Sequence, residues 1–148
     1  MESPKFPTKY AEIIYFMEEG IPFNKHLGLV VEHLEHGKCR LRLPWKEHFI
    51  GDVMRPALHG GVTSAVLDVA GGCACFTMIK LPESRLSTVD LRIDYLLPGP
   101  PKDLFITAEV IRMGNRVATA TMELRAESSE SEDVIATGRG VYSVRRAE

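Results

Sequence analysis

From Gly60 to Lys80 the chain runs Gly-Gly-Val-Thr-Ser-Ala-Val-Leu-Asp-Val-Ala-Gly-Gly-Cys-Ala-Cys-Phe-Thr-Met-Ile-Lys, free of proline, with Asp68 as its single acid. A helix that is apolar on every side cannot lie on a protein surface, so it needs either a bilayer or protein all round it. The length is close to a membrane span, but four glycines, Thr63, Ser64 and the central Asp68 make a poor one. Burial within protein is the expectation. A chain of 148 residues, 45% of them hydrophobic, has room for one core. The rest of the chain must therefore wrap this helix.

The flanks supply the wrapping. Cys39, Leu41 and Leu43 alternate with Lys38, Arg40 and Arg42, and Leu27, Leu29 and Val31 alternate before a turn at Gly37, which predicts a hairpin. Trp45 to Leu58 keeps no period and holds Gly51 and Pro56, so it reads as a loop into a helix that starts at His59 or Gly60, reaches about Lys80 and is closed by Pro82. Four strands follow: Ser87 to Leu97, Leu104 to Arg112, Arg116 to Arg125 and Val134 to Val144, the last two joined by the acidic loop Glu127 to Asp133. In the first of these Val89, Leu91, Ile93 and Tyr95 share one face, and Asp90, Arg92 and Asp94 the other. Before all of this, Thr8 can cap a short helix with Tyr10, Ile13, Ile14 and Met17 on one face, stopped by Gly20 and Pro22. Phe23 to His26 carries no clear period. The pattern is α+β, one helix inside an antiparallel sheet.

A lone carboxylate in such a helix is costly to desolvate unless it is paired, protonated or used, so Asp68 is the leading candidate for chemistry. His59-Gly60-Gly61 offers backbone N–H groups free of side chains where the helix starts and its dipole favours an anion. Donors that hold an oxyanion, opposite an acid that attacks a carbonyl or activates water, suit acyl transfer. Gly60 and Asp68 lie eight residues apart, about 12 Å along a helix, too far to meet at one carbonyl. Two such helices antiparallel across a two-fold axis would make two shared sites, a packing to which Ala70, Gly71 and Gly72 give room. The alternative for Asp68 is a structural hydrogen bond, and for His59 a helix cap.

A formal charge of −2, from 18 Lys and Arg against 20 Asp and Glu, excludes broad attraction to nucleic acid or an anionic membrane. Cys39, Cys73 and Cys75 lack metal or redox spacing and read as small core residues in a reducing compartment. Met1-Glu-Ser-Pro-Lys has no signal-peptide pattern, so a cytoplasmic location is expected.

His59-Gly60-Gly61, Asp68 and the strand Ser87-Thr-Val-Asp-Leu-Arg-Ile-Asp-Tyr-Leu-Leu-Pro98 together resemble the hotdog-fold acyl-CoA thioesterases of the phenylacetyl-CoA (PaaI-like) type, over nearly all of Leu27 to Val144. The resemblance implies a hotdog domain over 27–148, with about six strands around the long helix and residues 1–26 as a helical extension. It implies hydrolysis of an acyl-CoA to a carboxylic acid and coenzyme A, with no metal or other cofactor, in a homodimer or dimer of dimers. By position, Gly60 donates to the oxyanion, His59 flanks it, Gly61 follows in the same loop, and the partner chain's Asp68 is nucleophile or general base. Thr88 orients the attacking water, and Asn115-Arg116 resembles a corner near the coenzyme A phosphates or pantetheine. Where many relatives carry Asn or Gln against the thioester, this chain has Val53, with Asp52 one residue earlier as a substitute.

Two other readings share the fold. His48-Phe49-Ile-Gly51 is similar to the loop of hotdog dehydratases, but the acid expected fourteen residues after the His is Val62, which leaves proton abstraction without a partner. A non-catalytic acyl-CoA-binding protein needs an output element, and none is visible in the first 26 residues.

Overall fold

The computed structural model describes residues 10–81, 83–128 and 133–146. The cap expected from Thr8, the stop expected from Pro82 and the middle of the 127–133 loop lie outside them. Helix α1 (Ala11–Tyr15) runs into a π-helical turn (Phe16–Gly20), where Ile21 N–H donates to Phe16 O at 3.0 Å. Tyr10, Ile13 and Met17 are buried on one side, spaced three and four residues apart as an inward helix face requires. Pro22 then starts α2 (Pro22–Leu27), and Gly28, at φ 82°, ends it in the left-handed conformation that glycine adopts without strain. Leu27 was expected to open the first strand. It closes α2 instead, because Pro22 and Gly28 bracket a helix more strongly than its alternation with Leu29 suggests a strand.

The strands are β1 (Val30–Glu35), β2 (Lys38–Leu43), β3 (Ile50–Asp52), β4 (Ala57–Leu58), β5 (Arg85–Tyr95), β6 (Leu104–Met113), β7 (Val117–Ala126) and β8 (Val134–Arg145), with α3 (Gly60–Phe76) between β4 and β5. Six of them form one antiparallel sheet in the order β1-β2-β6-β7-β8-β5. The expected loop from Trp45 to Leu58 contains a 3₁₀ turn (Glu47–Phe49) and the β3–β4 hairpin, a correction that follows from burial of Phe49 and Ala57 beneath it. The main sheet curls round α3. Leu41, Leu43, Leu104, Ile106, Leu124 and Tyr142 close on Val66, Leu67, Ala70, Cys73 and Ala74, all of them buried.

Helix α3 ends at Phe76, short of Lys80. Thr77 Oγ1 donates back to Ala74 O at 2.6 Å and accepts Gly37 N–H from the β1–β2 turn at 2.8 Å, so its hydroxyl ties off the last turn. The cover on α3 is also uneven. Gly71 to Cys75 is buried, with the Phe16 ring edge-on to Phe76 at 5.5 Å, whereas Gly61 is exposed and Val62, Ala65, Asp68 and Val69 are half-buried in a stripe. The expectation of protein on every side fails within one chain.

Strand β5 lies at a sheet edge and carries a bulge. Thr88 pairs with Tyr142 and Asp90 with Val141, so Val89 is an extra residue and stands 65% exposed rather than facing inward with Leu91. Strict alternation places Thr88 on the face opposite Leu91. The inserted residue shifts the phase and turns Thr88 toward α3.

Candidate active site

His59 is the N-cap of α3, with ψ at 130°, and its Nδ1 accepts Gly61 N–H at 2.8 Å. The chain enters this cap on fixed amides: Leu58 N–H donates to Gly99 O at 2.9 Å and His59 N–H to Phe49 O at 2.8 Å. A Cβ on Gly51 would stand 2.5 Å from His59 Cα, so β3 can lie against the cap only as glycine. Capping spends the Gly61 N–H and, for the neutral ring, leaves the proton on Nε2. Gly60 N–H has no acceptor among the described residues, and it points from the positive end of a seventeen-residue helix. The two glycines differ sterically as well. A Cβ on Gly61 would meet His59 Nδ1 at 2.8 Å, while one on Gly60 would make only ordinary contact with the Tyr95 ring, at 3.4 Å.

The chain itself therefore has no need of glycine at position 60. Gly60→Ala is expected to fold with a melting temperature within about 2 °C of the parent, since helix propensity favours alanine. It is also expected to lose at least tenfold in kcat/KM for any substrate that must reach this N–H, and steady-state kinetics beside a thermal melt check both halves.

One turn along α3, Ser64 Oγ donates to Gly60 O at 3.1 Å and lies 2.6 Å from Tyr95 Oη, which reaches the same carbonyl at 3.3 Å. One turn further, Asp68 is half-buried on the open stripe, and its Oδ1 accepts the Thr88 hydroxyl at 2.8 Å. Thr88 thus holds one carboxylate oxygen, and the other has no hydrogen-bond partner among the described residues. Behind Asp68, the buried Tyr142 hydroxyl donates to the Asp68 carbonyl at 3.1 Å, its pKa held above the usual range by burial first and the Asp68 charge second. Gly71 was expected to admit a partner's backbone. It admits Tyr142, whose hydroxyl a Cβ at Gly71 would overlap and whose Cζ it would meet at 3.0 Å.

The remaining candidates lie apart from this pair. Asp52 caps its own turn, accepting Met54 N–H at 3.0 Å and Arg55 N–H at 3.2 Å, and the backbone bond from Arg55 is the main reason its pKa is lowered. It lines, with Gly60 and Tyr95, a hollow of about 390 Å³ at the head of α3. Val53, at the tip of the turn, is 81% exposed. Asn115 and Arg116 are exposed at the β6–β7 corner, where Arg116 O accepts the N–H of Val144, the residue that pairs with Leu86 of β5. His48 is exposed, stacked on His26 at 6.0 Å and edge-on to Phe49 at 4.9 Å. The three thiols are free and buried, with Cys39 donating to Ala70 O at 3.2 Å and burial pushing Cys75 up to about 12. Among the described residues no cluster of His, Cys, Asp and Glu could hold a metal, and no helix is long and apolar enough to cross a membrane.

Sequence reasoning missed Tyr142 and Ser64. A signal for Tyr142 was present: Ala136, Gly138, Gly140 and Tyr142 fall on one face of the last strand, and the two glycines before the ring mark a close approach.

Residues 56–132 match the family model described as the thioesterase superfamily. A relative from Salmonella typhimurium, named medium/long-chain acyl-CoA thioesterase YigI, is 34% identical over 136 residues, covering 84% of this chain and 86% of its own. A crystal structure from Shewanella oneidensis, described as related to the thioesterase superfamily, is 32% identical with a TM-score of 0.80, over 93% of this chain and 99% of that one. The PaaI protein of E. coli, from the phenylacetic acid degradation operon, shares the fold at a TM-score of 0.79 and 20% identity, over 95% of this chain and 94% of its own. With its helix wrapped by a six-stranded antiparallel sheet and its capped His-Gly-Gly turn, this chain belongs to the thioesterase superfamily, with the hotdog fold in its PaaI-like form.

Proposed function

We propose that this chain hydrolyses acyl-CoA thioesters to a free carboxylic acid and coenzyme A, at sites each built from two copies. The observation that carries this reading is the Asp68–Thr88 pair, 2.8 Å long, on the open stripe of a helix whose first N–H has no acceptor among the described residues. The thioester oxygen takes the Gly60 N–H of one copy, strengthened by the helix end behind it. The Asp68 carboxylate of the other copy either attacks the carbonyl carbon, forming an anhydride that water then opens, or takes the proton from a water that attacks directly. In both routes the C–S bond breaks, its electron pair leaves on sulfur and the thiolate is protonated to coenzyme A. Water supplies the oxygen of the acid.

Two features support sharing. Gly60 and Asp68 are separated by about 12 Å of helix axis within one chain. Among the described residues the edge strand β5 has one side unpaired over its eleven residues, with Val89 and Tyr95 exposed, an edge that suits pairing with its own copy. In the same reading two such dimers associate in the cytoplasm, a setting that suits three free buried thiols, and light scattering of the purified protein tests the assembly. His59 positions the thioester through Nε2, and Arg116 at its exposed corner meets the coenzyme A phosphates. Val53 offers no hydrogen bond, so Thr88 and the Gly60 amide carry the polar contacts that Asn or Gln makes elsewhere.

The test is thiol release from a panel of straight-chain and aryl acyl-CoAs. The medium/long-chain activity for which the Salmonella relative is named puts unbranched chains first on that panel. Thr88→Val is expected to keep the fold and lose roughly ten- to a hundredfold in kcat, the value of one hydrogen bond to a charged group. A wild type that releases no thiol from any member removes the reading.

A further inference from the structure

A groove of about 750 Å³ opens between α1 and the start of β5, walled by Ala11, Tyr15, Phe16, Phe76, Leu81 and Leu86. We infer that it receives the acyl chain of the substrate, which makes α1 the element that measures chain length; the inference rests on the thioesterase reading. Three observations select this occupant. First, the groove lies beside the catalytic pair: Leu86 and Ser87, which line it, directly precede Thr88, and Leu86 packs toward Gly72, one turn of α3 beyond Asp68. Second, its walls are mostly alkyl and aromatic, with Ser84 and Ser87 beside them, and its charged residues, Glu12 and Arg85, have opposite signs, so it offers no net field to the phosphates of coenzyme A. Third, its volume falls within the few hundred to about 1,000 Å³ typical of small-ligand pockets.

Length follows from geometry. Phe76 stands eight residues after Asp68, about 12 Å along α3. An extended alkyl chain advances about 1.3 Å per carbon, given C–C bonds of about 1.5 Å. A chain that runs alongside α3 from Asp68 therefore reaches the Phe16–Phe76 contact, 5.5 Å between ring centroids, after about nine or ten carbons beyond the carbonyl. Each buried methylene adds roughly fourfold to kcat/KM until that point.

Binding of S-butyl-, S-octyl- and S-decyl-CoA thioethers to the intact protein, followed by calorimetry, reads the groove without any chemistry. Affinity should rise steeply from butyl to decyl. Ala11→Trp, which fills the groove from an exposed helix position, should cut the decyl-to-butyl affinity ratio at least tenfold. Phe16→Ala, which opens its end, should move the preferred acyl-CoA in hydrolysis to chains longer than the wild-type optimum, a gain that misfolding does not produce. Equal affinity for butyl and decyl in the wild type overturns the inference. So does an undiminished ratio in a folded Ala11→Trp protein. Hydrolysis without chain-length preference overturns the groove and leaves the thioesterase reading standing; chain-dependent thioether binding without hydrolysis of any acyl-CoA does the reverse.

Discussion

Asparagine at position 68 is expected to lower kcat by about a thousandfold or more while leaving the fold intact, because it keeps the shape and the Thr88 contact but can neither attack nor accept a proton at neutral pH. KM for a good acyl-CoA should change little, since the carboxylate acts on the reacting carbon rather than on the distant parts of the substrate. Thermal stability should also move little: Asp68 is half-buried, and no buried charge is left unpaired by the change. The same variant tests the sharing of the site. Mixed with Gly60→Val chains, themselves expected to be inactive, Asp68→Asn chains should form hybrids in which one of two sites has both an intact Gly60 and an intact Asp68. Random mixing then restores about one quarter of the wild-type rate. If unfolding and refolding the two variants together restores no activity, the site lies within one chain.

The largest effect on stability is expected at Gly71. Alanine there drives a methyl into the hydroxyl of Tyr142, a ring 1% exposed that also lies against Gly140, where a Cβ would meet its Cζ at 2.7 Å. The ring has nowhere to retreat. Overpacking and the lost bond to the Asp68 carbonyl should outweigh the gain in helix propensity, for a net loss of about 2–3 kcal/mol and a fall of roughly 5–10 °C in the thermal midpoint. Its neighbour should behave oppositely. A Cβ on Gly72 meets Leu86 at 3.6 Å, an ordinary contact, so Gly72→Ala should be neutral or stabilising by up to about 1 kcal/mol. Tyr142→Phe removes the overlapping oxygen, and the double variant Gly71→Ala with Tyr142→Phe should be more stable than the sum of the single changes by more than about 1 kcal/mol. Denaturant melts of the four proteins complete the cycle. Equal damage at Gly71 and Gly72 would mean that a second backbone, not Tyr142, sets the requirement for glycine.

Much of the fold was legible because local periods are strong. Alternation in Leu104 to Arg112, Arg116 to Arg125 and Val134 to Val144 located β6, β7 and β8 to within a residue at each end. The long apolar run located α3, and His59-Gly60-Gly61 located its start. Errors arose where a distant partner overrules a local signal. Thr77 ends α3 because its hydroxyl receives an amide forty residues away, from Gly37. Phe49 and Ala57 organise a stretch without any period because they are buried beneath it. Val89 reads as inward on a strict period of two, and only its unpaired position opposite Tyr142 and Val141 shows that it is inserted.

The site divides in the same way. An anion-binding amide at a helix start and an acid two turns later are properties of spacing along one helix, so composition and order were enough to name Gly60, His59 and Asp68. Thr88 came from resemblance alone, and on simple alternation it belongs to the wet face. The bulge at Val89 brings it to Asp68, and a bulge depends on how two strands register, which neither strand encodes by itself. Tertiary structure also decided that Gly71 accommodates Tyr142, that Asp52 is engaged in its own turn, and that α1 walls a groove against the start of β5. The sequence by itself determined one helix within a sheet and an acid two turns along it from an amide end, since periodicity and helix rise are local. Which side chains meet across that helix was left to packing, because those contacts join residues separated by twenty to more than seventy positions in the chain.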